Sequence, residues 1–121
     1  MENKTTLVFG ASLNPDRYSN IAIHRLTQNK IPTLAFGLRS GLVAGIAIDT
    51  TKIQYPSIHT IALYINPKRQ TAYYNYLISL HPKRVIFNPG TENPDFMDLL
   101  NKNGIAYEIA CTLSLLATNQ Y

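Results

Sequence analysis

The residues best placed to do chemistry stand at the end of the first apolar run. Leu7-Val8-Phe9 leads into Gly10-Ala11-Ser12-Leu13-Asn14-Pro15-Asp16-Arg17-Tyr18-Ser19. A strand that ends in glycine and runs into a helix gathers backbone N–H groups at one point. The first N–H groups of a helix lack internal partners and its dipole is positive there, so the place favours a phosphate. Arg17 adds a cation in the same turn. A cation there is unfavourable for the helix alone, which points to an external anion. The segment is not the full G-x-G-x-x-G of dinucleotide enzymes.

A second pattern repeats along the chain. Four of the seven prolines follow asparagine: Asn14-Pro15, Asn66-Pro67, Asn88-Pro89 and Asn93-Pro94. Asn is a good N-cap and Pro suits the first helical position. Two of the pairs directly end apolar runs, Ile61-Ala62-Leu63-Tyr64-Ile65 and Val85-Ile86-Phe87. The pattern reads as strand, cap, helix. In an open parallel sheet such turns share the edge outside the carboxyl ends of the strands, where ligands bind.

The elements that must position these turns follow from periodicity. Strands are expected over Thr5 to Gly10, Thr33 to Phe36, Thr60 to Ile65, Arg84 to Phe87 and Ile105 to Ala110. Helices are expected over Asp16 to Asn29, Pro67 to Leu80, from Asn93-Pro94 onward, and over Thr112 to Ala117. The first helix presents Tyr18, Ile21, Ala22, Arg25 and Leu26 as its sheet-facing stripe. Leu42 to Ile48 reads as a short extended piece or hairpin at the sheet edge, because too few residues remain for a second crossover helix. Gly104 stands where a helix stops. The alternation predicts one α/β domain: a Rossmann-like open parallel sheet of about five strands, with helices on both faces.

Composition sets the bounds. The chain has 121 residues, 45% hydrophobic and 15% charged, with a formal net charge of +4, which suits an anionic ligand. Its basic residues form no run longer than two, Lys68-Arg69 and Lys83-Arg84. With no stripe and no named module, nucleic acid is not an expected partner. No apolar stretch approaches a membrane span, and no signal-peptide pattern opens the chain, so a cytoplasmic location is expected. Tyr73, Tyr74 and Tyr76 read as helix packing that allows a subunit contact in a homodimer.

One cysteine, Cys111, excludes an internal disulfide. It precedes the last helical segment, so it reads either as a small buried hydrophobe or as a redox thiol lowered by a helix N-terminus. His24, His59 and His81 are too scattered for a Cys/His metal site, and no metal is expected. No carboxylate pair or Ser-His-Asp order gives a catalytic set.

With these turns located, the sequence resembles the CoA-binding domain family, small Rossmann-like proteins related to the CoA-binding part of succinyl-CoA synthetase. The resemblance covers nearly the whole chain. It rests on Gly10 to Ser19, on Tyr64-Ile65-Asn66-Pro67, and on Phe87-Asn88-Pro89-Gly90-Thr91-Glu92-Asn93, with Cys111 where such proteins often carry a cysteine. It implies that coenzyme A is held by Gly10, Ala11, Ser12, Asn14, Arg17, Tyr18 and Ser19, with Arg17 and the loop on the phosphates. It further implies Asn66 and Pro67 beside adenine and ribose. Asn88, Pro89, Gly90 and Asn93 would line the path of the pantetheine arm. Relatives carry Asn-Pro or Pro-Gly-Lys after the second strand. Here Gly37-Leu38-Arg39 stands there, with Arg39 in place of the lysine.

The expected function is binding of CoA or an acyl-CoA without catalysis. The rival is a small NAD(P)-dependent oxidoreductase or other nucleotide-binding enzyme. It requires an acid at the end of the second strand for the ribose hydroxyls. A receiver-type signalling domain requires an aspartate at a central strand end, where Asn66 stands.

Overall fold

Apolar runs without alternation become the inner strands of a parallel sheet, buried on both faces. The structure, a computed structural model, describes residues 3–121. The chain forms β1 (Thr6–Ala11), α1 (Tyr18–Gln28), β2 (Thr33–Gly37), β3 (Leu42–Val43), β4 (Ile46–Asp49) and β5 (Thr60–Leu63). There follow α2 (Pro67–Gln70), a 3₁₀ turn (Thr71–Tyr73), α3 (Tyr74–Ser79), β6 (Arg84–Phe87), α4 (Pro94–Lys102), β7 (Ala106–Ile109) and α5 (Thr112–Ala117).

The strands lie in the order β3-β4-β2-β1-β5-β6-β7. All neighbours are parallel except the β3–β4 pair, which is antiparallel. The sheet thus has seven strands, not about five. The two additional ones are the expected hairpin, whose second strand pairs with β2 at Ala35↔Ile48 and Phe36↔Asp49. In this domain the hairpin takes the place of a crossover helix. β5 and β6 are buried at every residue, as central strands must be.

Two apolar layers sandwich the sheet. One face packs Leu7, Phe9, Ile61 and Phe87 against Leu77, Phe96 and Leu100 from α3 and α4. The other packs Val8 and Ala35 against Ile23 and Leu26 of α1, with Leu116 of α5 beside them. The buried stripe of α1 is Ser19, Asn20, Ala22, Ile23 and Leu26, so it is rotated from the expected one. Tyr18 is 72% exposed and Arg25 also faces out.

Local capping is decided unequally among the four Asn-Pro pairs. Asn66 accepts from the Arg69 N–H at 2.9 Å and Asn93 from the Phe96 N–H at 3.3 Å, each with proline at the first helical turn. Asn14 instead makes a turn before the helix, accepting from the Asp16 N–H at 2.9 Å, and Arg17 takes the N-cap position. Asn88 is spent on the scaffold. It donates to the Leu63 carbonyl at 2.9 Å and accepts from the Thr112 N–H at 2.8 Å, tying three elements together. The expected single helix from Pro67 to Leu80 is divided by the 3₁₀ turn. Tyr73 at its end packs edge-on against Phe9 and Phe36.

Candidate functional site

Where β1 ends, three backbones meet at van der Waals contact. Gly10 has φ +101°, and a Cβ there would lie 2.8 Å from the Ile65 side chain and 3.0 Å from the Tyr64 carbonyl carbon. On the other side, a Cβ on Gly37 would lie 2.3 Å from the Ala11 carbonyl oxygen. Glycine at both positions lets the ends of β2, β1 and β5 close on one another. The register between β1 and β2 shifts here, pairing Ala11 with Gly37.

Above this junction is a cleft of about 540 Å³. Its floor is aromatic. Phe9 and Phe36 stack at 4.7 Å, and Tyr73 meets both edge-on at 5.0 and 5.8 Å. One wall is the Gly10-Ala11-Ser12 loop and the start of α1. Asn20 fixes that loop by donating from Nδ2 to the Ser12 carbonyl at 2.9 Å. The first turn of α1 has no acidic residue, and Arg17 makes no side-chain capping bond. The Arg17 and Asn20 N–H groups donate to the Asn14 and Arg17 carbonyls, which leaves those of Tyr18 and Ser19 for another acceptor.

The cleft is electropositive for a simple reason. Arg17, Arg39 and Arg69 line it, and no described carboxylate does. None of the three guanidinium groups has an ion-pair partner among the described residues. Glu92 stands on the adjoining loop, but one of its oxygens is engaged by the Gly90 N–H at 2.7 Å. The rim is apolar. Leu13, Tyr18 and Leu38 line it while 44%, 72% and 71% exposed.

The residues expected from sequence divide clearly. Gly10, Ala11, Ser12, Arg17, Tyr18 and Ser19 converge on the cleft, as do Gly37, Arg39, Asn66, Pro89 and Gly90. Asn14, Pro67, Asn88 and Asn93 do not line it. Asn88 and Asn93 are buried in the scaffold, and Asn14 holds its own turn. Arg69, which the sequence did not mark out for the site, is exposed and also lines the cleft. A signal was available: a basic residue in the first turn of a capped helix that holds no acid, the argument already applied to Arg17. Thr91 was also missed as a lining residue.

Cys111 lies at the same sheet edge, at the N-cap of α5, partly exposed and outside the cleft lining. Burial by itself would raise its thiol. The polar groups of Ser114 and Leu113 at the start of α5 outweigh that and hold it below the ordinary thiol range. Tyr64, which does line the cleft, has its phenol pushed up, by burial first, with the Cys111 charge adding to it. The described residues hold no group of His, Cys, Asp and Glu able to bind a metal ion, and no helix among them is long and apolar enough to cross a membrane.

Comparison with known proteins agrees with this architecture. A solved structure of an uncharacterized protein is 40% identical, covers 100% of both chains and superposes with a TM-score of 0.96. A Thermus thermophilus protein, cell-free ID.343, is 17% identical over 98% of this chain and 91% of its own, with a TM-score of 0.86. A hypothetical protein from Pyrococcus horikoshii OT3 is 24% identical over 93% of this chain and 80% of its own, with a TM-score of 0.80. These last two likenesses speak to the fold alone. No functionally curated protein matches the chain. The profile of the CoA binding domain matches residues 4–117, nearly the full length. The chain therefore belongs to the CoA-binding domain family.

Proposed function

We propose that this protein binds coenzyme A or an acyl-CoA in the cleft at the carboxyl edge of the sheet, as a binding protein without a reaction of its own. One observation carries the reading. Three arginines and the first turn of α1, whose Tyr18 and Ser19 N–H groups have no acceptor among the described residues, surround a cleft that no described carboxylate lines. Membership of the CoA-binding domain family supports the same ligand.

The chemistry of the pieces fits the parts of CoA. A diphosphate suits the Gly10 loop and the start of α1, where N–H groups and Arg17 converge. A nucleoside phosphate suits Arg39 at the end of β2. The arm would run past Gly90 and Thr91. An NAD enzyme needs an acid at the end of β2 to hold the ribose hydroxyls. Gly37-Leu38-Arg39 offers a cation there.

Calorimetric titration with CoA, NAD, NADP and ATP in parallel tests the reading. CoA is expected to bind and to raise the melting temperature, because it binds only the folded state. Binding of NAD with no binding of CoA at matched concentration would refute it.

A further inference from the structure

The three cations of the cleft come from the connections that follow three strands, and the sheet order sets their sequence in space. Arg39 follows β2, Arg17 follows β1, and Arg69 stands in α2 after β5. These strands are consecutive, β2-β1-β5. Their loops therefore succeed one another along the edge at strand spacing, roughly 4.8 Å. Contact at the junction draws them closer: Gly37 against Ala11 on one side, Tyr64 and Ile65 against Gly10 on the other.

Arg69 is carried on a fixed stem. Its own N–H is held by Asn66 Oδ1 at 2.9 Å. Its neighbour Gln70 is 0% exposed and donates to the carbonyls of Ile65 and Thr91 at 2.9 and 2.8 Å. The backbone of Arg69 is thus locked between two strand-end loops, while Arg69 lines the cleft without a described carboxylate to neutralise its charge.

We infer that Arg69 contacts the diphosphate of the bound nucleotide from the β5 side, across from Arg17 on the β1 side. This rests on the CoA reading above and extends it. A diphosphate gripped by one arginine from each flank has its charge matched in a cleft that no described carboxylate lines. Arg39, beyond the Gly10 loop, is left for the third phosphate on the ribose. The cleft then offers one arginine to each phosphate of CoA.

Calorimetric titration of CoA and dephospho-CoA into wild type, Arg69→Gln and Arg69→Lys tests this. Arg69→Gln is expected to weaken both ligands by the same factor, about ten- to a hundred-fold. The preference between the two ligands stays unchanged, because both carry the diphosphate. Arg69→Lys is expected to keep part of the affinity, since it retains the charge and loses the planar fork. Wild-type affinity in Arg69→Gln overturns the inference. So does a loss confined to CoA, which would move Arg69 to the ribose phosphate. The parent reading fails differently, through wild type binding neither ligand. Ligand-free melting temperatures of both variants, expected to match wild type, separate lost contact from lost fold.

Discussion

The side-chain nitrogen of Gln70 donates to the carbonyl oxygen of Thr91 at 2.8 Å, joining α2 to the loop after β6. The same amide reaches Ile65, and its oxygen accepts from Asn93 Nδ2 at 2.9 Å. Asn93 in turn donates to the Tyr74 hydroxyl at 2.8 Å while capping α4. One buried amide thus sets the distance between two walls of the cleft.

Replacing Gln70 with leucine removes its three bonds, to Ile65, Thr91 and Asn93, and takes this donor from the Ile65 and Thr91 carbonyls. The expected cost is about 2–4 kcal/mol in urea unfolding. Ligand affinity should fall as well, because Arg69 and Thr91 lose their common anchor. A variant as stable as wild type would show that water replaces the amide.

Gly37 and Gly41 make a matched pair for testing the junction. A Cβ at position 37 meets the Ala11 carbonyl at 2.3 Å, a backbone atom that cannot move without breaking the β1–β2 pairing. Gly37→Ala should destabilise by about 1–3 kcal/mol and abolish tight binding. A Cβ at position 41 meets only the flexible end of Leu13, at 2.6 Å. Gly41→Ala should fold and bind nearly as wild type. Equal melting temperatures for the two variants would contradict the close approach at Ala11.

Arg17→Ala separates ligand contact from capping. Arg17 makes no side-chain bond to its helix, so the free protein should melt unchanged. CoA binding should weaken by about 1–3 kcal/mol, the range for a charge-assisted contact. Unaltered affinity would return Arg17 to the solvated surface.

The Cys111 thiol should ionise below the ordinary thiol range, because the polar groups of Ser114 and Leu113 together outweigh the penalty of burial. Its rate of alkylation should therefore reach half its maximum at a lower pH than a free thiol reagent does. The sign for stability follows. The folded pKa lies below the unfolded one, so ionisation adds stability above the unfolded pKa. That gain is lost as pH falls through the folded pKa. Cys111→Ser should remove this pH dependence. A half-maximum at or above that of a free thiol would show that burial dominates.

Much of this protein is written in short stretches of chain. Glycine at position 10, the caps Asn66-Pro67 and Asn93-Pro94, and the apolar runs of β5 and β6 each follow from steric or hydrogen-bonding rules that act within a few residues. Those rules gave the α/β alternation, the edge on which the turns gather and the phosphate-favouring loop. They could not distinguish Asn88, whose partners Leu63 and Thr112 are each about two dozen residues away, from the true caps it resembles. Nor could they bring Arg69 to the cleft or turn Tyr18 outward. Those outcomes depend on β5 lying beside β1 and on which face of α1 meets the sheet, and only long-range packing decides strand order and helix rotation.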